Sequence, residues 1–100
     1  MSCKLIMTWD IRPERDQEYF EFVVREFIPG VKRLGFELTD AWATIYGRRP
    51  QVMVGASLPT LGRVTRVLQS EDWQRLYDQL MDFVQNYDQK VVETRGGFQF

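Results

Sequence analysis

A chain of 100 residues is the length of one domain, since domains run to roughly 100 to 200 residues, and two independent cores are excluded. It is 44% hydrophobic and 27% charged, with 3 Trp, 4 Tyr and 7 Phe, enough apolar mass to offset chain entropy and exclude wholesale disorder. Thirteen Lys plus Arg against 14 Asp plus Glu, and no His at all, exclude a global basic field for nucleic acid or anionic lipid, and with it histidine general bases, His-ligated metals and proximal-His haem.

The N-terminal segment 3–11 alternates, with Cys3, Leu5, Met7, Trp9 and Ile11 on one face and Lys4, Ile6, Thr8 and Asp10 on the other, the period of a strand. Cys3 is the only cysteine, so no intrachain disulfide can form, which suits a reducing compartment. Asp10 closes the apolar stretch before it reaches the length of a signal h-region, and no run approaches the roughly 18 apolar residues of a membrane span. The expectation is a soluble, cytoplasmic protein with no membrane and no nucleic-acid partner.

Pro13 stands where a helix would begin, with Glu14, Asp16 and Glu18 suited to the positive end of its dipole. Phe20, Val23, Val24, Phe27, Ile28, Val31 and Leu34 then form one helical stripe. Lys32 and Arg33 fall in its last turn, Gly35 can take the left-handed cap, and Pro29 should break the bond to Arg25 and bend the helix. Phe36 to Tyr46 reads as a second strand, with Phe36, Leu38, Trp42, Thr44 and Tyr46 sharing a parity that Asp40 interrupts. Gly47-Arg48-Arg49-Pro50 is a turn, and Val52, Val54, Ala56 and Leu58 alternate in a third strand until Pro59.

Thr60 can cap a short helix carrying Leu61, Val64, Val67 and Leu68 inward, and Ser70-Glu71-Asp72 can cap another with the stripe Trp73, Leu76, Tyr77, Leu80, Met81 and Val84. Asn86 is expected to end that helix. Gln89 to Arg95 is a last strand, followed by Gly96-Gly97 and a tail with Phe98 and Phe100. Residues 1–100 therefore form a single domain, α+β in class. The order strand, helix, strand, strand, helix pair, strand is the ferredoxin-like βαββαβ arrangement, an antiparallel four-stranded sheet with the helices on one face. Apolar residues on both parities of strand one (Leu5 and Met7 against Ile6) and strand three (Val52 and Val54 against Met53) leave the second face needing cover, which two stacked copies would supply. The expected partner is a second copy of the chain, a homodimer forming a dimeric α/β barrel.

The proline-bent aromatic helix, Gly35-Phe36-Glu37-Leu38, Trp42-Ala43-Thr44-Ile45-Tyr46-Gly47, the strand after it, and Leu61-Gly62-Arg63 through Leu68 to Asp72-Trp73 together resemble the NIPSNAP-like branch of the dimeric α/β barrel superfamily, over roughly residues 4 to 95. The resemblance implies that fold and a barrel-forming homodimer. The superfamily includes cofactor-independent monooxygenases of the antibiotic-biosynthesis type, muconolactone-isomerase-like proteins, EthD-like proteins and haem-handling enzymes. The last group relies on histidine, which this chain lacks.

Trp9, Trp42 and Tyr46 could line a pocket on which an organic ligand stacks, with core packing as the competing reading. Asp10, ending strand one, could serve as a base if inward and raised in pKa, against helix capping or plain solvation. The hydroxyls of Tyr19, Tyr77 and Tyr87 could orient a substrate carbonyl, or could be wet tips on buried rings. Arg63, Arg66, Arg75, Arg48 and Arg49 could bind an anion, but the balanced acids nearby favour a solvated face. Cys3 beside Lys4 reads as an inert thiol. An RNA-recognition module shares this strand order, yet Val52-Met53-Val54-Gly55 supplies none of the surface aromatics it needs. With no His and one Cys, and with Glu14, Asp16 and Glu18 fanned around a helix while Asp78 and Asp82 face water, no metal or other cofactor is expected. Two readings follow: a small-organic-molecule binder with cofactor-independent monooxygenase or isomerase-type chemistry around Trp9, Asp10, Trp42 and Tyr46, or a non-catalytic interaction or stress-associated dimer whose aromatics fill its core.

Overall fold

Alternation in the first strand is matched by its burial: in β1 (Ser2–Ile11) Cys3, Leu5, Met7 and Trp9 are buried, while Lys4, Ile6 and Thr8 between them are only partly so. The computed structural model describes residues 2–43 and 51–94. β1 lies inside one antiparallel sheet with β2 (Glu37–Ala43), β3 (Val52–Leu58) and β4 (Val84–Thr94), in the order β2-β3-β1-β4. The helices are α1 (Asp16–Phe22), α2 (Ile28–Arg33), α3 (Leu61–Leu68) and α4 (Glu71–Met81). The βαββαβ order is the ferredoxin-like one, α+β in class. The expected turn at Gly47–Pro50 and the tail with Phe98 and Phe100 lie outside the described residues.

The core is one cluster between the helices and one sheet face. Leu5, Met7, Trp9, Ala56 and Leu58 from the strands meet Phe27, Val31, Val64, Trp73, Leu76 and Leu80 from the helices. Each fully buried Leu, Val, Phe or Met there contributes about 1.5–3 kcal/mol of transfer free energy. α3 and α4 follow the sequence closely. Thr60 accepts from the Arg63 N–H and Ser70 from the Trp73 N–H, both at 3.2 Å, so two of the donors that a helix start leaves unpaired are satisfied by side chains. Leu61 departs from the expected stripe. It sits in the first turn, on the exposed side, while Val64 is fully buried.

The segment between β1 and β2 departs further. Pro13 does not open the helix, because Glu14 adopts a left-handed φ of 68° and Arg15 N–H closes a turn on the Arg12 carbonyl at 3.2 Å. α1 starts at Asp16 with no side-chain cap. Between α1 and α2, residues Val23–Phe27 form a π turn in which Ile28 N–H reaches back to the Val23 carbonyl. Pro29 is the physical reason: it has no N–H for the Arg25 carbonyl and its ring crowds that carbonyl, and the wider turn immediately upstream accommodates both. The extra residue rotates everything before it by about one position. The buried stripe is therefore Tyr19 and Phe22 before the π turn and Phe27 and Val31 after it, while Phe20 and Val24, expected inside, are 56% and 66% exposed.

The end of the helical run is as expected. Gly35, at φ 102°, donates to the Lys32 carbonyl and Phe36 N–H to the Val31 carbonyl, the Schellman pairing that only a residue tolerant of positive φ allows cheaply. In β2 the break seen at Asp40 is a bulge: the register with β3 shifts between Leu38, opposite Ala56, and Asp40, opposite Gly55, so one residue is inserted and the parity changes. β4 begins at Val84, five residues before Gln89. Phe83 N–H closes the last turn of α4 on Leu80, and Ile11 pairs with Val84 and Asp10 with Gln85. Asn86 has the left-handed φ of 56° expected of a helix-ending residue, but it lies inside β4, where the register with β1 shifts between Thr8 and Asp10.

On the uncovered sheet face Ile6 pairs with Gly55 and with Lys90, and Thr8 with Met53 and Asp88. Lys4 reaches across β3 to Asp40 on β2, Nζ to Oδ2 2.7 Å. Gly55 makes room for that bridge: a Cβ there would stand 2.9 Å from Asp40 Oδ2 and 3.4 Å from Lys4 Cδ. The Lys4 ammonium holds the Asp40 carboxyl below its ordinary pKa.

Candidate functional site

The half of the sheet under α1 and the π turn is not sealed. A cleft of about 240 Å³ opens there, walled by Trp9 of β1, by Tyr19, Phe20, Val23, Phe27 and Ile28 of the helical run, and by Leu38, Ala41, Ala43, Val52 and Val54 of β2 and β3. Local sequence explains why. The strand walls carry alanine at two positions after the β2 bulge, and the π turn swings Phe20 outward, so neither side fills the space between. Among the lining residues only Trp9 and Tyr19 bring polar side-chain atoms.

Those two atoms meet. Trp9 is fully buried, edge-on to Phe27 at 5.7 Å between centroids and stacked on Tyr87 at 6.0 Å. Its indole N–H donates to the Tyr19 hydroxyl oxygen at 2.9 Å. Burial raises the pKa of Tyr19 above the ordinary 10.0, opposed by the Trp9 hydrogen bond, so the phenol is neutral at physiological pH. Tyr87, raised by burial more strongly, spends its hydroxyl on Gln89 Oε1 at 2.8 Å and touches Tyr77 edge-on at 5.1 Å.

Of the four residues singled out in the sequence, Trp9 lines the cleft. Asp10 is buried but points to the strand ends: Oδ1 accepts from Gln51 N–H and Oδ2 from Asn86 Nδ2, both at 2.9 Å, while Gln51 Oε1 in turn accepts from Ile11 N–H at 2.7 Å. It thereby ties β1 to the start of β3 and to the left-handed Asn86, neither a helix cap nor a solvated end, and it is not part of the cleft wall. Trp42 pairs with Met53 in the β2–β3 ladder, between Ala41 and Ala43. Tyr46 lies outside the described residues, as do Arg48 and Arg49. Tyr19 is the residue whose importance the sequence understated, since a regular helix in phase with Phe20 turns it away from the core. Pro29 was the available signal for the change of phase.

A larger groove of about 330 Å³ lies between α2 and α4, lined by Glu26, Gly30, Arg33, Leu34, Asp72, Arg75, Leu76 and Gln79. Its charges balance, with Arg75 3.6 Å from Asp72 and both side chains mostly exposed. Such a groove offers little that water does not, whereas small-molecule sites are mostly apolar with a few placed polar groups. Among the described residues no three of His, Cys, Asp or Glu converge as a metal site would require, and no helix is long and apolar enough to cross a membrane.

No protein-family model matches the chain, and no curated protein matches it. Solved structures do. A NIPSNAP family protein of Agrobacterium tumefaciens is 20% identical with a TM-score of 0.70, the match covering 95% of this chain and 87% of that one. A Nitrosomonas europaea protein of the antibiotic biosynthesis monooxygenase type is 7% identical with a TM-score of 0.69, covering 93% and 89%. A dimeric protein of Bacteroides fragilis with the ferredoxin-like fold is 13% identical with a TM-score of 0.67, covering 93% and 96%. The chain has the ferredoxin-like fold of these proteins, NIPSNAP family structures among them.

Proposed function

We propose that this chain is a single-domain, NIPSNAP-like cytoplasmic protein that binds a small organic molecule in the cleft between the π turn and β2–β3. The observation that carries the reading is the cleft itself: an apolar space of about 240 Å³ whose wall holds one buried polar pair, Trp9 and Tyr19. A dimer whose aromatics simply fill the core would close that space at native packing density, so the cleft favours ligand binding over a purely structural role. Chemistry, where it follows binding, is of the cofactor-independent monooxygenase or isomerase type, drawing on the bound molecule's own electronics. Trp42, beside Met53 in the β2–β3 ladder, and Tyr46 are proposed as further ligand contacts, with Asp10 as the tie that fixes the end of β1. The free, buried thiol of Cys3 suits a reducing cytoplasm.

A homodimer belongs to the same proposal. The helices cover one sheet face, while Ile6 and Met53 lie half exposed on the other, and the Bacteroides fragilis relative by fold is dimeric. Two such faces stacked should bury more than about 1,200 Å² in total. Sedimentation at micromolar concentration is expected to give a dimer, and Ile6→Lys or Met53→Glu a monomer; a monomeric wild type would refute this part. For the cleft, intrinsic tryptophan fluorescence titrated with apolar ring compounds should saturate in the wild type and lose its response in Ala41→Trp, where an indole occupies the space. Equal binding by both would place the ligand elsewhere.

A further inference from the structure

The Trp9–Tyr19 pair has a fixed direction. An indole N–H can only donate, so the Tyr19 oxygen is the acceptor and its own proton remains to be given away. Among the described residues the Trp9 N–H is its hydrogen-bond partner, so the hydroxyl proton is left for a molecule in the cleft whose wall Tyr19 forms part of. A donor held in an apolar wall favours a ligand that brings an acceptor to it. Here it stands at the wall of an apolar cleft, pinned by Trp9.

We propose that the Tyr19 hydroxyl is the specificity-determining donor of the cleft, and that it selects neutral ring compounds presenting one carbonyl oxygen. This rests on the cleft being the binding site, as proposed above. Neutrality follows from the wall: no cationic side chain lines the cleft, so a carboxylate would be desolvated without a counter-charge. Size follows from the volume. A dry apolar cavity of about 150 Å³ takes one benzene ring, so about 240 Å³ suits a substituted ring or two fused rings. Trp9 acts as a positioning residue: by occupying a lone pair of the Tyr19 oxygen it restricts the directions in which the hydroxyl proton can point, and its polarisation strengthens that donor.

The test uses matched probes on the full chain: 1-tetralone, tetralin, which lacks the carbonyl, and the tetrahydronaphthoate anion. Dissociation constants for each are compared in wild type and in Tyr19→Phe. The expected result is about a tenfold preference of wild type for 1-tetralone over tetralin, the size of one buried hydrogen bond, collapsing to near unity in Tyr19→Phe with tetralin affinity retained. Trp9→Phe, which keeps the hydroxyl and removes its pin, should reduce the same ratio several-fold and serves if Tyr19→Phe does not fold. A wild type that binds tetralone and tetralin equally, or prefers the anion, overturns the role of Tyr19 while leaving the cleft as a site. A ratio undiminished in both variants does the same. If neither neutral probe binds wild type, the cleft reading itself fails, and this inference with it.

Discussion

The helices of this protein share one sheet face and treat it in two ways. Under α3 and α4 the apolar face is covered, with only a shallow groove at the α4–β4 edge beside Trp73, Tyr77 and Tyr87: both helices have side-chain caps, and Val64, Trp73, Leu76 and Leu80 are buried. Under α1, the π turn and α2 it is open: no side chain caps α1, the hydrogen-bond ladder widens, Phe20 and Val24 face outward, and a cleft remains. Regular helices with matched stripes close on a sheet. A helix whose phase changes midway does not, and the space it leaves is available to a ligand. π turns are frequent at functional sites for this kind of reason.

The largest effect should come from breaking the covered side. Trp73→Ala removes a buried ring that opens the α4 stripe and is tilted against Tyr77 at 6.3 Å; a loss of about 3–5 kcal/mol in urea unfolding is expected, because tightly packed neighbours collapse only partly into the void. An unchanged midpoint would show that side to be no better covered than the other.

On the open side the telling change is subtler. Tyr19→Phe keeps the ring and strands the Trp9 N–H without an acceptor, which should cost about 1–3 kcal/mol. The same variant should respond differently to alkali. The folded-state pKa values of Tyr19 and Tyr87 are raised above the ordinary 10.0, so above that pH the unfolded chain loses protons that the folded one keeps. Stability then falls as pH rises past 10.0 and is unaffected by these groups below it. The alkaline fall should be shallower in Tyr19→Phe than in wild type, as followed by urea midpoints across the alkaline range; identical slopes would mean that Tyr19 ionises alike in both states.

The smallest effects compare the helix starts. Ser70→Ala removes the acceptor for the Trp73 N–H and should cost about 1 kcal/mol. Arg15→Ala, at the uncapped start of α1, removes an exposed pair with Glu18 at 3.2 Å and a contact over the Phe83 ring at 4.9 Å, and should cost about 0.5 kcal/mol. Thermal midpoints of the two variants rank them, and a reversed order would deny that capping distinguishes the two layers.

How legible the molecule was follows the same division. The β1 alternation, the Thr60 and Ser70 caps, the Gly35 terminus and the α4 stripe as far as Met81, though not Val84, which opens β4, could be read residue by residue, because each rests on a neighbour within five positions. The break at Asp40 was visible as an interruption, though not as a bulge. Asn86 misled, since the same left-handed backbone serves a helix end or a strand irregularity, and which one depends on whether β1 lies beside it. Trp9, singled out as a pocket wall, lines the cleft, and Asp10, singled out for chemistry, accepts hydrogen bonds from Gln51 and Asn86, 41 and 76 positions away.

By itself the sequence determined the elements and their order, and so the ferredoxin-like sheet, since hydrophobic period and capping are local properties written into adjacent residues. Only the tertiary structure decided the phase of the first helical run, and therefore that Tyr19 and not Phe20 meets Trp9 across the cleft. Pro29 announces that a hydrogen bond is lost but not how the chain absorbs the loss. A bend and a π turn relieve the same clash, and they turn the residues upstream by different angles. Which of them forms depends on which face the sheet can receive.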